Sequence, residues 1–170
     1  MRPKPPACDG CPLAHSGLGF VQAEGPLSAP YILVGEGPGE NEATFGTPFF
    51  PRAPSGWRLS DWLARAGIKR GDCYITNAIR CLTVKRDKFG EVSRGAGGRP
   101  QKRDPSPSEV RECARRHLLP DLETVLAASQ ERRILIPIGK PAQLLLTGLA
   151  GNRYTGSLQE WNPQDLRDRL

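Results

Sequence analysis

The chain has 170 residues, 38% of them hydrophobic, and carries 24 Lys and Arg against 18 Asp and Glu, a net charge of +6. That size buries one core without disulfide staples, and no run approaches the ~18 apolar residues of a membrane span. Met1-Arg2-Pro3-Lys4 leads into prolines and a cysteine pair, so no secretory signal is read and a reducing cytoplasm is the expected location.

From the N-terminus, the first feature is Cys8-Asp9-Gly10-Cys11, set among Pro5, Pro6 and Pro12. These flanks read as turn rather than core, and two intervening residues let both thiolates face inward on a tight loop. Pro30-Tyr31-Ile32-Leu33-Val34 is a short apolar run ending at glycine, the pattern of a buried parallel strand. Gly56 to Ala66 sets Trp57, Leu59, Trp62, Leu63 and Ala66 at helical spacing, with Gly67 where a helix terminates. Cys73 to Thr76 is the next strand, which makes Cys73 a core thiol. Ser106-Pro107-Ser108-Glu109 is a capping box with proline at the first helical position, opening a helix through Cys113 towards Leu119. Ile134 to Ile138 is a third strand, stopped at Gly139, and Pro141 starts a helix through Leu146. Strands alternating with helices predict parallel crossovers and one α/β domain over residues 1–170.

Cys81 and Cys113 join Cys8 and Cys11 in a metal-ligand pattern that ties the N-terminus to the middle of the domain. Four thiolates suit tetrahedral zinc or an iron–sulfur cluster, and spacing does not choose between them. The cationic excess concentrates from Thr83 to Pro105. There Lys85, Arg86, Lys88, Arg94, Arg99, Lys102 and Arg103 stand against Asp87, Glu91 and Asp104. With Gly90, Gly95, Gly97 and Gly98, the segment reads as a long, mobile, basic insertion loop, and a polyanionic partner is expected.

Ligands of open α/β sheets bind outside the carboxyl ends of the strands. Three loops lie there: Gly35 to Phe49, Asn77 to Cys81, and Gly139-Lys140. The first runs Gly35-Glu36-Gly37-Pro38-Gly39-Glu40-Asn41-Glu42 and later Gly46-Thr47-Pro48-Phe49. Its glycines let backbone approach a flat ligand. Its carboxylates would repel phosphate, and no Gly-Lys-Ser/Thr follows. The loop suits a neutral, planar group, with carboxylates for water or hydrogen-bond work.

Together, Gly-Glu-Gly-Pro-Gly-Glu after a strand, Gly-x-Pro-Phe downstream, Ile-Thr-Asn leading to a cysteine, and the C-x-x-C…C…C frame resemble family 4 uracil-DNA glycosylases. The likeness runs from about Cys8 to Ile138. It implies a three-layer α/β/α fold around a parallel sheet, and a [4Fe-4S] cluster on Cys8, Cys11, Cys81 and Cys113 in preference to zinc. It also implies hydrolysis of the N-glycosidic bond of uracil, or a related base, flipped out of DNA. By the same resemblance Phe49 stacks on the uracil ring, and Glu42 crowds C5 against thymine. Gly37, Pro38 and Gly39 line the pocket, and Glu36 positions the hydrolytic water. Asn77 reads the pyrimidine edge, its oxygen accepting from N3–H and its NH₂ donating to O4. Cytosine would leave both unpaired, at about 1–3 kcal/mol for each buried group. Lys85, Arg86, Lys102 and Arg103 are the expected phosphate contacts.

One departure stands out. The family carries His-Pro-Ser near its C-terminus, on a loop whose histidine supports the departing uracil anion. Trp161-Asn162-Pro163-Gln164-Asp165-Leu166 holds no such motif, and His15 and His117 lie elsewhere. Losing such a donor typically lowers the rate ~10²–10³-fold. Two expectations follow: a weakly active glycosylase, with another element or a protein partner completing the C-terminal region, or a catalytically silent iron–sulfur subunit that binds DNA or protein.

Overall fold

The computed structural model describes residues 3–149 and 160–170. Two helices, α1 (Leu13–Ser16) and α2 (Glu40–Phe45), are short. Strand β1 (Tyr31–Gly35) leads through α2 and α3 (Pro54–Arg65) to β2 (Cys73–Asn77). From β2 the chain passes through α4 (Pro107–Cys113), a π-helical turn at Ala114–Leu118 and α5 (Leu119–Ala127) to β3 (Ile134–Pro137). Helices α6 (Lys140–Thr147) and α7 (Pro163–Arg167) follow. The strands are parallel in the order β2-β1-β3, with Tyr31 opposite both Cys73 and Ile134, and Gly35 opposite Asn77.

Side-chain alternation along the strands makes the layers. Leu33, Cys73 and Ile75 pack against Leu59 and Leu63 of α3. Ile32, Val34 and Tyr74 face Leu118, Leu122, Val125, Leu145, Leu146 and Leu166 from the helices of the other side. β1 and β2, covered on both faces, account for their near-continuous apolar runs, whereas β3 is an edge strand with Ile134 exposed. On α3 the buried stripe is Gly56, Leu59 and Leu63, whereas Trp57 and Trp62 are exposed. The helix stands where its spacing predicts, but a stripe three to four residues apart leaves both tryptophans off the packed face.

The capping box forms as read: Ser106 Oγ accepts from Glu109 N at 3.2 Å, and Glu109 Oε2 accepts from Ser106 N at 2.8 Å. The segment between Thr83 and Pro105 differs from the mobile loop expected. Isolated antiparallel bridges join Val84 to Lys102, Arg86 to Val92 and Arg94 to Pro100. Lys85, Ser93 and Gln101 bond to one another through their backbones, making two consecutive hairpins closed at Arg86–Val92 and Arg94–Pro100. Its base is closed by Arg103 N donating to Thr83 O at 3.2 Å and Thr83 Oγ1 to Arg103 O at 2.6 Å. The glycines supply turns, and the intervening residues satisfy their own backbone groups.

The Arg80 side chain, 2% exposed, ion-pairs with Asp121 of α5 and donates to Val21 O at 3.4 Å. It fastens the chain beyond β2 to the helical layer. Leu122 is fully buried between that layer and the sheet. Leu122→Ala should therefore cost about 2–5 kcal/mol, read as a lower denaturant midpoint at unchanged slope. Leu144→Ala, on the exposed side of α6, should stay within about 0.5 kcal/mol.

Candidate functional site

Loops leaving the carboxyl ends of β1 and β2 enclose a cavity of about 360 Å³. Glu36, Gly37, Pro38, Gly39, Glu42 and Phe49 line it from one side of the sequence, and Asn77, Ile79, Cys81 and Leu82 from the other. Thr83, Lys102, Arg103, Asp104 and Pro105 close it, while the Gly139-Lys140 loop takes no part.

Asn77 ends β2 directly across from Gly35. A Cβ at position 35 would collide with Asn77 Oδ1 and lie 2.7 Å from two carbons of the Phe49 ring, so only glycine lets amide and ring approach there. Asn77 is 2% exposed, and its side-chain amide makes no hydrogen bond among the described residues. Facing the cavity, the amide keeps its hydrogen-bonding capacity for whatever enters there. Phe49 has φ +46, the one non-glycine residue of positive φ among those described. Arg70 Nη2 donates to Pro48 O at 2.7 Å and holds the preceding peptide. Strain of this kind, about 1–3 kcal/mol, concentrates at functional sites.

Glu42 is 5% exposed and accepts from Ser55 Oγ at 2.5 Å. Glu36 stands on the open side of the cavity. Partial burial, helped by the Asp104 carboxylate, holds its carboxyl above the ordinary 4.5. A Cβ at Gly39 would meet Glu42 Oε2 at 2.5 Å and Lys102 Nζ at 3.4 Å, which brings that ammonium to the same rim.

The four expected phosphate contacts are not equivalent. Arg103 donates to both oxygens of Glu109 at 2.7 and 2.5 Å, and this pairing keeps the Glu109 carboxyl below its usual range. Arg86 donates to the carbonyls of His15, Ser16 and Gly90. Lys85 and Lys102 are exposed and, among the described residues, free of ion pairs. Ser55, Ile79, Thr83 and Asp104 were not singled out from sequence. None stands in a recognisable spacing, and Asp104 is visible only as an acid beside the capping box.

Cys8, Cys11, Cys81 and Cys113 are free and buried in one cluster with Leu13, Phe20 and Ile79. Cys73 lies apart, in the core on the α3 side of the sheet. Arg80 N donates to Cys113 Sγ at 3.3 Å and Leu13 N to Cys11 Sγ at 3.4 Å, while His117 Nε2 lies 3.3 Å from Cys8 Sγ. Burial pushes the thiol of Cys81 to about 11 and that of Cys113 to about 12. Burial, with Arg80 and Arg116 nearby, lowers His117 to about 4, so its ring is neutral. Arg116 Nη1 donates to Ala7 O at 3.0 Å and Asp9 O at 2.7 Å, tying the Cys8–Cys11 loop to the π turn. Among the described residues no three Cys, His, Asp or Glu side chains converge to hold a single ion. An all-thiol set with N–H···S bonds nonetheless has the donor chemistry of a multi-iron cluster, in which each thiolate binds a different iron.

Parallel strands whose carboxyl-end loops enclose a small pocket, with an aromatic wall and an amide that no described residue bonds, define an α/β protein with its candidate site at the strand ends. Residues 22–167 match the family described as "Uracil DNA glycosylase superfamily", and the chain belongs to it. Three relatives resemble it over most of its length. The type-4 uracil-DNA glycosylase of Pyrobaculum aerophilum is 33% identical over 146 residues, 86% of this chain and 62% of that protein. That of Archaeoglobus fulgidus is 33% identical over 149 residues, 88% of this chain and 63% of that protein. For the Thermotoga maritima enzyme of the same name the identity is 35% over 118 residues, 69% of this chain and 52% of that protein. The chain thus spans between about half and just under two thirds of these relatives. Residues 150–159, in the C-terminal region that lacks a His-Pro-Ser motif, lie outside the described residues.

The Gly35 contact is testable without assuming an activity. Gly35→Ala should displace Asn77 and Phe49 and destabilise the protein by about 1–3 kcal/mol, seen as a lower Tm by calorimetry. An unchanged Tm would mean that the wall is looser than its geometry.

Proposed function

We propose that the chain is a DNA glycosylase that hydrolyses the N-glycosidic bond of uracil flipped out of DNA, opening base excision. The observation that carries this reading is the Asn77 amide, set in the cavity wall beside Phe49 and unpaired among the described residues. Uracil would satisfy it, with N3–H donating to Oδ1 and O4 accepting from Nδ2. Phe49 would stack on the ring. Glu42, fixed by Ser55, would fill the space of a 5-methyl group. The backbone of Gly37 to Gly39 would close the pocket.

In the reaction, water adds to C1′ while the C1′–N1 bond breaks and its electron pair leaves on the base. The Glu36 carboxylate would hold that water, stabilise the cationic sugar and accept the water's proton. The departing base anion then takes up a proton to become free uracil. Glu36 must be ionised for this work, and its folded pKa is raised, so activity should fall as pH drops through that raised value. The acid limb of the rate profile is expected above 4.5, and Asp104→Asn should move it down.

Excision from uracil-containing oligonucleotides, followed by alkaline cleavage at abasic sites, tests the reading. Asn77→Asp replaces a donor by an acceptor and should abolish uracil release while the fold stays intact. Glu36→Gln should slow excision with little change in DNA affinity. If the wild-type chain releases no uracil yet binds DNA, the silent-subunit reading replaces this one.

We further propose that Cys8, Cys11, Cys81 and Cys113 hold a [4Fe-4S] cluster. When bound, it would cross-link four chain positions and brace the cavity wall at Cys81. Protein purified without oxygen should then be brown with about four irons per chain. Cys81→Ser should bleach it, and Cys73→Ser should not. Stoichiometric zinc without iron would overturn the assignment. Five free buried thiols fit a reducing cytoplasm, and no helix among the described residues is long and apolar enough to cross a membrane.

A further inference from the structure

Neither the cavity nor the thiols account for Phe89. It is 77% exposed, more than any other large hydrophobic side chain among the described residues. It sits at the tip of the first of the two hairpins, between Arg86 and Val92, in the insertion that leaves the cavity wall at Thr83 and returns to it at Lys102. The tip is rigidly built. Asp87 Oδ1 accepts from Phe89 N at 2.9 Å and from Glu91 N at 3.0 Å. Asp87 N donates to Glu91 O at 2.9 Å, and Gly90 N donates to Asp87 O at 3.0 Å, with Gly90 at φ +81. Arg86 pins the leg beneath to the carbonyls of His15 and Ser16, and Val84 packs with Leu82 and Ala43, with Val92 against them. This scaffolding ends in one exposed aromatic ring that joins none of the core clusters of the described residues.

The surroundings specify what the ring fits. Lys88 Nζ lies 4.9 Å from its centroid, over its face, and Lys85, Arg94 and Arg99 are exposed on the same insertion. Asp87, Lys88, Gly90 and Glu91 around it are all exposed, so no apolar surround exists for a hydrophobic protein pocket to cover. A flat π face bordered by phosphates matches a ring bordered by cations. At most about 20 Å of extended chain separates Phe89 from Thr83, equal to roughly six base steps of 3.4 Å.

We propose that Phe89 is an aromatic finger that stacks on a DNA base within about six steps of the nucleotide in the cavity, with Lys88 on the adjoining phosphate. The claim extends the glycosylase reading but can be tested apart from it, because stacking and excision are measured separately.

The experiment uses the whole chain and uracil-containing oligonucleotides, single-stranded and duplex, with 2-aminopurine placed in turn at each of the six positions on either side of the uracil. The wild-type protein should change the fluorescence at one or two of those positions. Phe89→Ala should remove that change and weaken binding by about 5- to 100-fold. Its slope of log K against log salt should not move, since no charge is lost. Phe89→Trp should retain affinity. Lys88→Gln should lower the duplex slope by about 0.9, the mark of one phosphate contact. Circular dichroism checks that each variant is folded. Unchanged affinity and unchanged 2-aminopurine signals in Phe89→Ala overturn the proposal, even where uracil is still excised. Loss of the stacking signal in a chain that excises nothing sustains it and removes the glycosylase reading instead.

Discussion

The chain just past β2 is held by its backbone on both sides, and the chemistry of the molecule is arranged around that constraint. Ala78 N donates to Gly35 O and Ile79 N to Glu36 O, prolonging the β1–β2 ladder into the loops. Opposite, Val21 N donates to Arg80 O, and Leu18 and Leu82 exchange both of their bonds. An extended stretch fixed in this way alternates its side chains. Asn77, Ile79 and Cys81 turn to the cavity, whereas Ala78 enters the α4–α7 side of the core and Arg80 reaches Asp121. Cys81 therefore belongs to the cavity wall and to the thiol cluster at once. Anything that fixes or frees that sulfur acts on a residue two positions from Ile79 and four from Asn77.

Electrostatics divide by scale. The whole chain is cationic, and its excess sits on the insertion, where it can draw a polyanion to the cavity mouth. The cavity itself holds Glu36, Glu42 and Asp104 against Lys102 and an Arg103 already engaged by Glu109. The cavity thus carries more carboxylate than unpaired cation, while the cationic excess lies on the insertion. That contrast is what a protein needs if it is to handle a base while its partner's backbone stays outside.

Much of this was legible in the sequence because it is local. The strand runs ending at glycine, the capping box at Ser106 and the helix over Leu59 and Leu63 each carry their signal within a few residues. The four thiols could be grouped from spacing, since a close pair needs remote partners. What escaped depends on contacts distant along the chain. Arg86 and Arg103 look like free cations until the carbonyls of α1 and the Glu109 carboxylate are beside them. Asp104 becomes a pocket residue only when the insertion folds back. Residues 84–102 read as slack because Val84, Val92 and the cations between glycines alternate over too few positions to announce a hairpin. The left-handed backbone of Phe49 had no signal, because proline precedes it and glycine does not occupy the position.

The two hydrogen bonds between Thr83 and Arg103 also bear on descent. A segment clamped shut at its root is a cassette: what lies between the clamps can lengthen, shrink or be exchanged while the wall below keeps its shape. Closing a loop twice as long costs only about 0.6 kcal/mol more. Insertions at this point are therefore cheap for a lineage to try, and a foreign hairpin could be grafted between Val84 and Lys102 while the cavity wall below keeps its shape.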